Sequence, residues 1–335
     1  MDHRTRVLAA VGTTVLLFLA VQLGALALIE PFHDADRQAV EDPGNPTNSL
    51  VYFAVILVAT GFMLATFRYD LEWIVRALVV GVSVMLAWFV LTELVPPVVT
   101  AGSMNVLAVA AALGVGAALV LYPEWYVIDA TGVLMGAGAA ALFGISFGLL
   151  PALLLLAGLA IYDAVSVYRT EHMLDLAAGV MDLKIPVVLV VPTTLSYSYL
   201  ADGEGADPDA SDPDASGGGE ANPSDGDSVP EDDPAADAGR DALFIGLGDA
   251  IIPTILVASA AYFLEAGALS VPGIALNLPA LGAIVGTLAG LVVLMGMVLK
   301  GRPHAGLPLL NGGAIGGYLL GALASGVPIA AALGL

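Results

Sequence analysis

Cysteine is absent from the chain, which excludes disulfides and thiolate metal sites. Lysine is nearly absent: Lys184 and Lys300 stand alone, and ten basic residues face 31 acidic ones for a net charge of −21. Histidine is equally sparse, and His3, His33, His172 and His304 are scattered without metal-ligand spacing, so neither a metal nor a cofactor is expected. No nucleic-acid partner is expected either. Charged residues make up only 12% of the chain, and what fills their place is apolar.

The chain is 58% hydrophobic with a mean hydropathy of +0.90. Its apolar runs repeatedly reach the roughly 20 residues that cross about 30 Å of hydrocarbon, so an all-α, polytopic membrane protein in a lipid bilayer is expected. Nine spans are predicted, at about 7–29, 50–67, 73–95, 102–122, 127–147, 149–168, 242–264, 274–299 and 305–333. The first run holds a cleavage-like Ala25-Leu26-Ala27 but is too long for a signal-peptide core, and it is read as a helix.

Basic residues are retained in cytoplasmic loops. With the N-terminus inside, Arg4, Arg6, Arg68, Arg76, Arg169, Lys184, Arg240, Lys300 and Arg302 are all cytoplasmic, and only Arg37 lies outside. The count of nine and this orientation support one another, and the C-terminus is then extracellular.

The negative charge is concentrated. Residues 201–240 carry 13 Asp and Glu among Gly, Pro, Ala and Ser, too little apolar surface to offset the entropy of ordering, and this segment reads as disordered. An acidic, lysine-poor surface fits solvation at high salt and points to a halophilic source, with an ordinary acidic linker as the alternative. Three parts result: a six-helix part over 1–168, a cytoplasmic loop over 169–241, and a three-helix part over 242–335.

Two acids lie inside apolar runs, where an unpartnered charge costs several kcal/mol and marks a candidate functional site. Tyr162-Asp163 ends the sixth run, and Gly246-Leu247-Gly248-Asp249 falls early in the seventh. Counted along ideal helices, both acids lie roughly 10 Å from the cytoplasmic side. Two carboxylates facing one another cannot both ionise, and such a pair supplies both the base and the acid that water-driven peptide hydrolysis requires. Gly246 and Gly248 clear space beside Asp249 for another helix or an extended substrate. Pro253 frees a helix carbonyl nearby.

With these motifs, a hydrophilic loop between spans six and seven, and a Leu-Pro step opening span nine, the chain resembles the presenilin and signal peptide peptidase family of intramembrane aspartyl proteases. Within it the chain looks like an archaeal homologue. The stretch Met173-Leu174-Asp175-Leu176-Ala177 is also similar to the one after the first catalytic helix of presenilins. The resemblance implies a presenilin-like bundle, catalytic Asp163 and Asp249, and cleavage of single-pass membrane helices or signal-peptide-like segments in unfolded form. The family's Pro-Ala-Leu motif is not literal here. Ala305-Gly306-Leu307-Pro308 matches it in one register and Pro308-Leu309-Leu310 in another, so Leu307, Pro308 and Leu309 are candidate site-shaping residues beside Tyr162, Gly246, Leu247 and Gly248. Leu307, preceding a proline, is expected to be extended. Asn311, one turn on, is expected to hydrogen-bond in a wet cavity or to a neighbouring helix.

The loop segment Pro186-Val187-Val188-Leu189-Val190-Val191-Pro192 is short, β-branched and bracketed by prolines, and reads as a strand. Its free edge suits pairing with an unwinding substrate; a re-entrant piece is the alternative. Residues 170–182 read as a surface helix. Gly282, Gly286 and Gly290 in span eight, and Gly312, Gly313, Gly316, Gly317 and Gly321 in span nine, form small-residue stripes for close helix packing. Glu93, Glu265 and Asp129, near span ends, are expected to snorkel or cap. Two rival readings remain. One is a secondary transporter or channel with the aspartates as a proton or cation site, though no repeat relates the two halves. The other is a prepilin-peptidase type of enzyme, where a lysine-containing segment typically follows the Gly-x-Gly-Asp acid; here Ala250-Ile251-Ile252-Pro253 follows.

Overall fold

The computed structural model describes residues 3–69, 71–102, 104–170, 186–192, 242–298 and 305–335. The expected acidic segment 201–240, and all but the first residue of the expected surface helix 170–182, lie outside them. In chain order come α1 (His3–Asp34), α2 (Thr47–Arg68), α3 (Glu72–Leu94), β1 (Thr100–Ala101), β2 (Met104–Asn105), α4 (Val106–Leu121), α5 (Trp125–Ser146) and α6 (Leu149–Val165). They are followed by β3 (Val188–Pro192), β4 (Ala242–Gly246), α7 (Leu247–Phe263), β5 (Ala268–Val271), β6 (Ile274–Asn277), α8 (Leu278–Val298), α9 (Leu307–Ala324) and the single turn α10 (Ile329–Ala332). Among the described residues, seven helices are long and apolar enough to cross a membrane, and α4 and α7 are shorter apolar helices in the same series.

Burial ranks the helices. In α5, 72% of the apolar window is buried inside the protein, against 11% in α2, so α5 is the central post and α2 a peripheral helix. The sequence of α5 explains its place, since glycines and alanines let neighbours close in. A Cβ on Gly138 would stand 2.5 Å from Val90 of α3, one on Gly24 of α1 would stand 2.9 Å from Ala137, and one on Gly144 would collide with Ala258 of α7. The α8 glycines pack as expected against Gly313, Gly317 and Gly321 of α9, whereas Gly312 and Gly316 face no described neighbour. Gly282 lies against Gly317, Gly286 against Gly313 and Gly290 against the Leu309 carbonyl, so closely that a Cβ would strike backbone at each. Without a hydrophobic force between helices in lipid, such close contact is what holds them together.

Four predicted spans are corrected in extent. Residues 242–246 are a strand paired with Val188–Pro192 rather than the start of span seven. Residues 274–277 pair with Ala268–Val271 in a hairpin, and Met104 and Asn105 pair with Ala101 and Thr100, so spans eight and four begin later. The ninth helix ends at Ala324, where Gly326 takes φ +77°, and α10 follows separately. Asparagines set two of these boundaries. Asn277 accepts from the Ala280 N–H at the start of α8 and donates to the Ala260 and Leu264 carbonyls, which ties the β5–β6 hairpin to the end of α7. Asn105 caps α4 by accepting from Ala108, and donates to the Val95 carbonyl.

Two of the three charges at span ends also differ from expectation. Glu93 pairs with Arg37 at 3.0 Å, and the Arg37 guanidinium lies 4.6 Å from the centre of the Phe89 ring. Asp129 does not snorkel. It is buried on α5, and its Oδ1 accepts the N–H of Val190 at 2.7 Å.

Candidate active site

Three helix ends meet around the two aspartates. Asp163 lies in the last turn of α6, after which Ser166–Thr170 widens into a π turn. Asp249 lies in the first turn of α7, directly after β4. Helix rise therefore does not set its depth, as the sequence suggested; the strand delivers it. Asp163 is 4% exposed, whereas Asp249 is partly open.

The start of α9 touches both acids. Leu307 N–H donates to Asp163 Oδ2 at 3.0 Å, and the Gly306 amide faces the same carboxylate. On the other side, a Cβ on Gly306 would stand 3.4 Å from Asp249 Oδ2. Of the two registers considered for the proline motif, Ala305-Gly306-Leu307-Pro308 is the one whose backbone lies against both acids. Leu307 is the first helical residue rather than an extended one. The first N–H groups of a helix have no intrahelical partner, so Pro308 in the first turn loses nothing, and the orphan Leu307 N–H finds its acceptor in Asp163.

One turn further along α9, Asn311 is fully buried and its Nδ2 donates to the Leu156 carbonyl of α6 at 2.9 Å. Its Oδ1 has no partner among the described residues. Asn311 thus ties the helix carrying Leu307 to the helix carrying Asp163. Leu309 packs its carbonyl against Gly290 of α8.

Around Asp249 the glycines leave room that no helix among the described residues fills. Gly246 and Gly248 are exposed; a Cβ on Gly246 would meet only the Asp249 carboxylate, at 3.5 Å, and one on Gly248 only Ile252 Cδ1, at 4.0 Å. Leu247 is buried against Gly132 and Gly136 of α5. Pro253 sits within α7 and supplies no N–H, so the carbonyl left without its usual donor four residues on is that of Asp249 itself. Tyr162 points elsewhere: its ring meets Phe53 of α2 edge-on at 6.1 Å.

The segment 186–191 lies beside the site through β3. Pro186 is buried, the Val187 carbonyl accepts the Leu247 N–H at 2.8 Å, and Leu189 pairs with Ile245 in the antiparallel ladder. The strand edge expected to be free is thus partly taken, by β4 on one side and by Asp129 at Val190 on the other. Sequence reasoning missed β4 and the Asp129 contact. A buried acid on α5 was the available signal. Among the described residues, no group of three or more His, Asp or Glu is placed to hold a metal ion.

Comparison with known proteins adds the lineage. Residues 15–327 match the family described as signal-peptide peptidase, presenilin aspartyl protease. Among solved structures, a presenilin family intramembrane aspartate protease crystallised in space group C222 is 32% identical, with 94% of this chain and 99% of that one covered and a TM-score of 0.61. The same description in space group P2 gives 33% identity, 92% and 96% coverage and a TM-score of 0.58. No curated protein matches the chain.

Proposed function

The chain belongs to the signal-peptide peptidase and presenilin family of aspartyl proteases, and on that premise we propose that Asp163 and Asp249 are its catalytic pair, of the Gly-x-Gly-Asp type, hydrolysing peptide bonds within membrane-spanning segments. The observation that carries this reading is the Gly306–Leu307 backbone lying against both carboxylates at once. Each part of the chain then contributes one acid, α6 from the N-terminal helices and α7 from the C-terminal ones.

Chemically, one carboxylate takes a proton from water as its oxygen attacks the scissile carbonyl, and the other acid protonates the carbonyl oxygen. The tetrahedral carbon then expels the amine, which leaves with a proton from the pair. Two acids sharing one proton supply both roles. The open space at Gly246 and Gly248 supports entry of an extended backbone beside Asp249, because a helical segment would keep its carbonyls in its own hydrogen bonds. The substrates inferred are single-pass membrane proteins or signal-peptide-like helices. From the basic residues we infer a cytoplasmic N-terminus, an extracellular C-terminus and an active site toward the cytoplasmic face.

The test reconstitutes the full chain with a single-pass membrane substrate and identifies products by mass spectrometry. Cuts inside the apolar stretch are expected, and Asp163→Ala and Asp249→Ala should each abolish them. Cleavage persisting in both variants would overturn the assignment, and ion flux abolished by the same substitutions would favour transport.

A further inference from the structure

Asp129 is a buried acid beside the β3–β4 sheet that leads into Asp249, and the proposed chemistry does not use it. It lies in the second turn of α5, 6% exposed, with its Oδ1 2.7 Å from the Val190 nitrogen. Residues of an antiparallel strand alternate between bonding their partner strand and facing away from it. Because the Val190 N–H goes to Asp129, Val190 belongs to the outward set of β3, together with Val188 and Pro192. Pro192 has no N–H. The outward edge of β3 therefore offers two donors, at Val188 and Val190, and Asp129 takes one of them.

The same face of α5 receives the strand along its length. A Cβ on Gly132 would stand 3.1 Å from Leu189 Cδ2 and 3.8 Å from the Pro186 carbonyl, and one on Gly136 would stand 3.3 Å from Leu247 Cδ1. From β3 the constraint passes by hydrogen bonds to the Asp249 segment. The ladder pairs Val188 with Gly246, and the Val187 carbonyl accepts the Leu247 N–H, two residues before Asp249. A slip of β3 by a residue would carry this whole connection with it and reverse which face each side chain occupies.

We propose that Asp129 is a positioning residue of the protease: it anchors β3 to α5 through the Val190 N–H, bars that edge of the sheet to strand addition, and so fixes which substrate bond reaches Asp163 and Asp249. The inference rests on the catalytic reading above. Its signature is the place of cleavage rather than the amount, since a residue needed only for folding lowers the active fraction without moving the cut.

The experiment maps cut positions by mass spectrometry for the full chain on one single-pass membrane substrate, with KM and kcat measured alongside. Asp129→Ala should redistribute cuts to bonds about one or two residues away, the step by which a strand slips. Asp129→Asn keeps an acceptor oxygen and should retain the parent cut positions. Val190→Pro removes the donor at a position whose N–H makes no bond to β4, and should spread the cuts as Asp129→Ala does, with the double variant no more spread than either alone. Parent cut positions in Asp129→Ala, spreading in Asp129→Asn, or additive spreading in the double variant would each overturn the proposal. Should Asp129→Ala not fold, Asp129→Asn and Val190→Pro decide alone: parent cuts in the first with spread cuts in the second sustain it, and any other pattern overturns it. Failure of the catalytic reading is separate, because it shows as cleavage surviving Asp163→Ala and Asp249→Ala.

Discussion

Asn311 sits in the core with half of its amide satisfied, an arrangement that stability alone does not favour. Its hydrogen bond to the Leu156 carbonyl is worth about 1 kcal/mol net, and its buried Oδ1, unpartnered among the described residues, costs a similar amount. Asn311→Leu, with the same branching and number of side-chain heavy atoms, loses both, so the thermal midpoint should stay near that of the parent. Cleavage should fall, because the substitution cuts the link between α9 and α6 one turn from the Leu307 N–H on Asp163. About 1 kcal/mol of lost alignment corresponds to roughly fivefold in rate. An unchanged rate at an unchanged melting temperature would show that Leu307 is held in place without this tether. The two aspartates themselves were legible in the sequence because an acid in an apolar run is conspicuous. Asn311 was legible only as a polar group seeking a partner, since nothing local names a carbonyl 155 residues away.

Helices announce themselves by hydropathy, and the long apolar runs gave away their order. The strands did not. Ala242-Leu-Phe-Ile-Gly246 is five apolar residues joined to an apolar helix, and hydropathy cannot divide such a run; pairing with Val188–Pro192, some fifty residues earlier, decides it. The β5–β6 hairpin had a local sign that the span count overran: Pro272-Gly273, with Gly273 at φ +71°, is the dipeptide of a tight turn. Among the helix pairs, α8 with α9 bears most directly on the site, because Leu307 opens α9. Gly286→Leu drives a side chain into the Gly313 backbone and should cost about 1–3 kcal/mol. It should also lower cleavage beyond the loss of folded protein, as α9 shifts away from Asp163. Gly316→Ala, where a Cβ meets nothing within 4 Å among the described residues, is the control and should change stability by no more than about 1 kcal/mol. Equal effects from the two substitutions, followed by thermal melts and cleavage of the folded fraction, would contradict backbone contact as the reason for these glycines.

At the scale of the molecule, the acidic segment 201–240 carries 13 of the 31 acidic residues. If the segment is the solvated linker its composition suggests, deleting 205–238 should leave both the rate and the positions of cleavage unchanged, because the cost of loop closure varies only as the logarithm of loop length. A folded deletion variant that no longer cleaves would make the segment a docking element. The pairing of Pro192 with Ala242 has a practical consequence as well. Partners across an antiparallel ladder lie about 5 Å apart, so the two residues that flank segment 193–241 sit at almost the same point. A whole soluble domain whose own ends lie close together, a fluorescent reporter or a rigid fiducial for electron microscopy, can be spliced in between, to hang from the sheet like a pendant without prising the two halves of the protein apart.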